Sequence, residues 1–236
     1  MPAGKRHLLP EKMDDPALDR SQHIHALKGL ERINSWSRTA TILWRAISLI
    51  ASERTFRPIR VLDIACGGGD LAIRLARIAK REGVEVEVHG CDISPTATAH
   101  ASVVAQREGI ARSQFFVYNV LEQPLPDGYD VITCTLFLHH LEDGQVIALL
   151  QDMSRAARYA VLADDLIRTR VGYWLAHLGC RVLSRSPVVH YDGPASVRGA
   201  YTVAEVEKLA LQAGLSGTRF QKHWPERYLM SWKKAV

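Results

Sequence analysis

The chain has 236 residues, 47% hydrophobic and 23% charged, enough for one large domain and ordinary for a soluble globular protein. The net charge of +5 would suit an acidic partner, but the lysines and arginines are dispersed without a basic block or aromatic stacking motif, so no nucleic acid is expected. No apolar run approaches the ~20 residues of a membrane span, and the opening MPAGKRHLLPEK lacks an apolar signal core. A cytoplasmic protein without stable membrane insertion is the expectation. Four cysteines, Cys66, Cys91, Cys134 and Cys180, stand far apart and read as buried apolar residues, with no metal site implied.

In chain order, the first dozen residues read as a loose arm. Ile24, Leu27, Leu30 and Ile33 recur at helical spacing, and Ile42, Leu43, Ala46, Ile47 and Ile50 mark a second helix. After Pro58 comes a short β-prone run to Ile64, then a helix carrying Leu71, Leu75 and Ile78 that Gly83 stops. VEVEVHGCDI is a strand, and Ser94 with Pro95 opens a helix that Gly109 closes. QFFVYNV and YDVITCTLF are the third and fourth strands. Asp143 is placed as the cap of the next helix, and RYAVLADD is the fifth strand.

Such alternation implies an α/β fold: a doubly wound, Rossmann-like sheet, mostly parallel. Near the end, Thr202 and Glu205 form a capping box, and the last two strands are joined too tightly to be parallel, so the last strand is antiparallel. Residues 1–54 are assigned to an N-terminal arm and helical cap. Residues 55–236 are assigned to the main domain, with 167–201 as an inserted lid. Within that insertion, VGYWLAHLGCRVL reads as a buried helix, as a lid wall offering Tyr173 and Trp174 to a hydrophobic substrate, or, with the nearby arginines, as a reversible membrane-surface contact. SPVVHYDGPAS reads as turn-rich.

The stretch VLDIACGGGDLA admits two ligands. Gly67, Gly69 and Ala72 fit a dinucleotide loop, whereas Asp63 with Gly67 and Gly69 fits S-adenosylmethionine. Dinucleotide loops set a pyrophosphate on the helix N-terminus. Asp63 and Asp70 would repel that group but suit a ligand bearing an ammonium and a sulfonium. Asp92, ending the second strand, can accept ribose hydroxyls in either case.

Taken in order, VLDIACGGGD, GCDIS, FFVYNVLEQPLPDGYDVITC and LFLHHL resemble the class I S-adenosylmethionine-dependent methyltransferases, nearest to the ubiquinone and menaquinone biosynthesis group. The resemblance covers residues 55 to 165. It implies S-adenosylmethionine as cofactor and S-adenosylhomocysteine as product. It sets Asp63, Ala65, Gly67 and Gly69 against the methionine part, Asp92 on the ribose, Ile93 on the adenine, and Asn119 and Val120 at the adenine edge. Ala65 stands where the family usually has glycine, and Asn119 where an aspartate is common.

For the acceptor, candidates lie beyond the fourth and fifth strands and in the insertion. His139, His140, Asp165 and His190 are the candidate catalytic residues, each with a bland alternative in local packing or ion pairing. Asp164 and Asp192 are weaker candidates. No N-P-P-Y or D-P-P-Y follows the fourth strand, which the resemblance reads against amino-group methylation. The expectation is O-methylation of a hydrophobic small-molecule substrate, phenolic, quinol or polyketide-like. C-methylation of an aromatic ring, a nucleotide-linked oxidoreductase, a non-catalytic cofactor-binding module and a homodimeric assembly stay open.

Overall fold

A computed structural model describes residues 4–15, 17–53, 58–110 and 112–234. Residues 1–3 of the expected arm lie outside them. Seven strands form one sheet: β1 Ile59–Ile64, β2 Val86–Asp92, β3 Phe115–Val117, β4 Tyr129–Thr135, β5 Ala157–Leu166, β6 Arg219–His223 and β7 Arg227–Lys233. Their order is β3-β2-β1-β4-β5-β7-β6. Strands β1 to β5 pair in parallel, while β7 runs antiparallel to both β5 and β6. The expected reversed last strand is therefore present.

Eight helices accompany the sheet among the described residues: α1 Arg20–Ser37, α2 Thr39–Ser52, α3 Asp70–Arg81, α4 Pro95–Arg107, α5 Asp143–Ala156, α6 Arg170–Leu183, α7 Pro187–Gly199 and α8 Val203–Gln212. Strand alternation decides which helices cover which face. In β1, Leu62 and Ile64 join the cluster formed with α5 and α8, while Ile59 and Val61 join the cluster formed with α2 and α3. Both faces are apolar, which is why the strands read as continuous runs rather than alternating ones. A fully buried side chain such as Leu43 or Ile47 contributes roughly 1.5–3 kcal/mol.

Helix ends follow local chemistry. The Ser94 hydroxyl accepts from the Ala97 N–H at the start of α4, and Thr202 and Glu205 complete the expected capping box of α8. At α5 the cap is Glu142, paired with Gln145, and Asp143 sits in the first turn instead. A Glu side chain one residue earlier reaches the same free N–H groups.

Two sequence readings are corrected. SPVVHYDGPAS is not a turn: it lies in α7, with Pro187 in the first turn and Pro194 inside the helix. Burial of Val188, Val189, Ala195 and Val197 overrides the local breakers. A small core of Ala26, Cys180, Val188 and Val189 joins α1, α6 and α7, and a Cβ on Gly193 would come within 2.3 Å of Cys180 Sγ.

The arm is not loose either. Arg6 donates to the carbonyls of Gly199, His139 and Leu141, and the Lys12 and Met13 N–H groups donate to Asp192 at 2.8 and 3.1 Å. All four cysteines are free and buried, as expected. Among the described residues no helix is long and apolar enough to cross a membrane.

Gly69, with φ of +74°, ends the turn that delivers the chain from β1 to α3. A Cβ there would meet both Ala101 Cβ and Phe115 at 2.7 Å. Overpacking and the left-handed backbone together should cost Gly69→Ala about 2–4 kcal/mol, read as a lowered urea midpoint with unchanged slope.

Candidate active site

Strand order reverses between β1 and β4, and the crevice beyond their carboxyl ends is where such sheets bind ligands. A cavity of about 790 Å³ opens there, a size typical of small-molecule sites. Its base is the backbone of Ala65, Gly67 and Gly68. Asp92, Ile93 and Asn119 line one side. Leu27 and Leu30 of α1, with Leu175 and Leu183 of α6, supply apolar walls.

The turn below the cavity is held open by backbone geometry. Ala65 has φ of +50° and Gly67 of +51°. For alanine that conformation costs on the order of 1 kcal/mol, so the surrounding packing must enforce it. The Gly67 N–H donates to Asp92 Oδ2 at 2.8 Å, and the Ser94 N–H donates to Asp92 Oδ1 at 2.9 Å. These bonds tie the ends of β1 and β2 together.

Carboxylates crowd this end of the sheet. Asp63 is fully buried, and its Oδ1 accepts from the Thr133 hydroxyl at 2.8 Å while Oδ2 has no hydrogen-bond partner. Burial pushes its pKa up to about 8, against the Thr133 bond, with Asp70 and Asp92 adding to the rise. Burial likewise raises Asp70, which accepts from the Asn34 amide, and Asp92. A cationic ligand would relieve this accumulation of negative charge.

Across the cavity stands a single 3-10 turn, Leu138–His140. The His139 ring is buried with Nδ1 at 2.7 Å from Asp165 Oδ1, and the His139 backbone N–H donates to Asp165 Oδ2. Burial opposes a charge on His139, but Asp165 and Glu11 prevail and its pKa is pushed up to about 10. Burial likewise works against the charge of Asp165, yet His139 and the Leu166 N–H hold it below the usual carboxylate range. His140 Nδ1 lies 3.1 Å from Asp14 Oδ2.

Of the candidate residues named from the sequence, Ala65, Gly67, Asp92, Ile93, Asn119, Val120, His139 and His140 all line this one cavity. Asp63 and Gly69 do not: Asp63 is buried, and Gly69 serves close packing on α4 and β3. Asp165 meets the cavity only through His139. The Asn119 amide oxygen already accepts from the Leu121 N–H, leaving it one free lone pair.

Three expectations for the insertion and β5 do not hold. His190 Nε2 donates to the Ser184 carbonyl at 2.7 Å and does not line the cavity. Tyr173 and Trp174 face elsewhere, Trp174 being 60% exposed, because the inward face of α6 carries Leu175, Ala176 and Gly179. Asp164 is paired with Arg227 and His223. What the sequence reading missed is the arm, whose Glu11, Met13 and Asp14 line the cavity. Only the acid-rich EKMDD could have drawn notice, and nothing in its spacing points to histidines over 120 residues away.

Residues 61–159 match the family model described as a methyltransferase domain. An alignment of 168 residues with a ubiquinone biosynthesis O-methyltransferase of Vibrio cholerae is 28% identical, covering 68% of this chain and 64% of that one. A demethylmenaquinone methyltransferase of Thermus thermophilus is 33% identical over 106 residues, 44% of this chain and 45% of its own. The chain thus spans less than two thirds of the first curated relatives it matches, 62% and 64%.

Among solved structures, a magnesium protoporphyrin IX methyltransferase from Synechocystis with bound S-adenosylhomocysteine superposes with a TM-score of 0.59. It is 18% identical, with 94% of this chain and 90% of that one covered. A putative O-methyltransferase from Nostoc punctiforme gives 0.61 at 21% identity, over 84% and 56%. The matched segment contains β2, β3, β4 and the left-handed turn after β1. This part of the chain is similar to a methyltransferase domain, while the solved structures share its fold.

The residues present fit S-adenosylmethionine. The side chain of Asp63 leaves one buried carboxyl oxygen unpartnered, the turn brings backbone to the cavity without Cβ atoms at Gly67 and Gly68, and Asp92 stands at its side. An acid whose folded pKa of about 8 exceeds its unfolded value of ~4 destabilises the ligand-free fold progressively as pH rises between the two. Asparagine carries no such penalty. The stability of Asp63→Asn relative to wild type should therefore climb from pH 5 to 8, by up to ~1.4 kcal/mol per unit, in melts without ligand. A pH-independent difference would show that Asp63 is already ionised.

Proposed function

We propose that the protein transfers the methyl group of S-adenosylmethionine to an oxygen atom of a hydrophobic small molecule, a phenol or quinol by the chemistry of the site. The observation that carries this reading is the His139–Asp165 pair facing the same cavity as the glycine turn. Bound S-adenosylmethionine supplies an electrophilic methyl group on a sulfonium, which an aligned oxygen displaces in line. The chain's own residues must hold the two reactants and manage the acceptor's proton. Alignment alone can supply up to ~7–11 kcal/mol.

Gly67 and Asp92 would hold the cofactor, with Ile93 and Asn119 beside its base and the buried Asp63 adding negative charge behind the turn. Ile93 is 64% exposed at the cavity edge, an apolar surface that a flat ring would cover. The acceptor would lie between α1 and α6, against Leu27, Leu30 and Leu175. In this arrangement the arm and α1 act as the cap and α6 and α7 as the lid, while α2 belongs to the sheet's core.

Asp165 engages His139 Nδ1, so Nε2 is the ring atom offered to an acceptor. With the ring kept charged by Asp165 and Glu11, the Nε2–H would donate to the acceptor oxygen. It would stabilise that oxygen as a phenolate, the nucleophilic form, once its proton has left to solvent. The O-methyltransferase names among the relatives support oxygen as the acceptor.

Calorimetry should detect S-adenosylmethionine and S-adenosylhomocysteine but not NADH, and binding of NADH alone would overturn the reading. With a labelled methyl donor and a panel of phenols, His139→Ala should lose about 10²–10⁴-fold in turnover. Its affinity for S-adenosylhomocysteine should stay within a few-fold of wild type. Asp165→Asn, milder for folding, should fall in the same direction. Unchanged turnover in both removes His139 from the chemistry.

A further inference from the structure

One cluster in the cavity has a geometry that an acceptor's proton does not explain. His139 Nε2 and His140 Nε2 converge on the same atom, Glu11 Oε1, at 3.6 and 3.9 Å. These distances exceed those of a hydrogen bond. They approach the ~3.3 Å that separates ligands bound at 2.0–2.1 Å around a tetrahedral ion. All three donor atoms lie within 4.8 Å of one another.

We propose that Glu11, His139 and His140 bind one divalent transition-metal ion, zinc by its donor set, and so close the N-terminal arm onto the cavity. Two nitrogens and one carboxylate oxygen form the ligand set of zinc sites that keep a position open. The supports behind the ligands match as well. Both histidines engage a carboxylate through Nδ1, His139 with Asp165 at 2.7 Å and His140 with Asp14 at 3.1 Å. Such a partner fixes the proton on Nδ1 and turns the Nε2 lone pair toward the ion. The Ser196 hydroxyl donates to Glu11 Oε1 at 2.5 Å and orients that carboxylate, whose Oε1 keeps a second lone pair for an ion.

The arm that carries Glu11 is itself anchored. Arg6 reaches the carbonyls of His139 and Leu141, on either side of His140, and Asp192 holds the N–H groups of Lys12 and Met13. Glu11 and both histidines line the cavity, so the open position faces the space where an acceptor would lie. There the ion would replace the Nε2 proton in stabilising an acceptor oxygen as its anion. That last role rests on the methyltransferase reading, whereas metal binding does not.

The test uses the full chain, stripped with a chelator, dialysed, and titrated with zinc chloride alone by calorimetry. Cobalt(II) loading followed by visible absorption reports the coordination. One equivalent of zinc should bind, and Glu11→Gln and His140→Ala should each weaken it at least ~10-fold. His190→Ala, whose ring lies on the Ser184 carbonyl, should bind as wild type does. Circular dichroism and melting confirm that each variant is folded. Absence of saturable binding, or binding undiminished in both folded variants, overturns the site and leaves the cluster an ion-pair network. Titrating the stripped protein with S-adenosylhomocysteine separates the two claims. Binding of that ligand without zinc sinks only the metal site, and zinc binding without that ligand sinks only the methyltransferase reading.

Discussion

Covering a parallel sheet on both faces leaves its ends as the place where a ligand can meet the backbone, and the remaining structure follows from that constraint. The clusters built by α5 and α8 on one face, and α2 and α3 on the other, take up every apolar position of β1. What emerges at the carboxyl end is a turn with left-handed residues at 65, 67 and 69, drawn tight because Gly69 lets α4 and β3 approach. The turn brings peptide groups to the cavity, and its bond to Asp92 sets the width between β1 and β2.

The electrostatics run against the chain's overall sign. A protein of net charge +5 gathers Asp63, Asp70 and Asp92 at one buried corner, where each carboxyl is pushed upward, chiefly by its own burial. Burying unpaired carboxyl groups is costly unless something compensates. The bonds from Thr133, Asn34, Gly67 and Ser94 compensate part of that cost, and a cationic ligand would compensate more. On the far side the balance is reversed, since His139 is kept charged by Asp165 and Glu11 despite its burial. The cavity is thus acidic where a cofactor would sit and carries imidazole groups where an acceptor would.

Contacts across great sequence distance complete the enclosure. Arg6 lies over the ring of Tyr201 and reaches three carbonyls, and Asp192 clamps the arm. Arg168 and Glu205 form a two-bond ion pair that fixes the return from α7 to α8, with Glu205 held near a pKa of about 2, first by Arg168. These interactions make the roof of the cavity a built structure rather than a loose strap.

Local patterns were enough to read the strand and helix sequence, the capping box at Thr202, the reversed β7 and the acids around the glycine turn. Each depends on residues within a few positions of one another, whose spacing is itself the physical cause. The same locality misled at SPVVHYDGPAS, where burial among α1 and α6 outweighs two prolines and a glycine. It also left open which face of α6 looks inward, which histidine meets Asp165, and that Glu11 stands beside both histidines. The sequence by itself determined the kind of fold and the charge of its ligand corner. The acceptor side was decided only by tertiary structure, because its groups come from the arm, β4, β5 and α6, which approach one another only when the chain is folded.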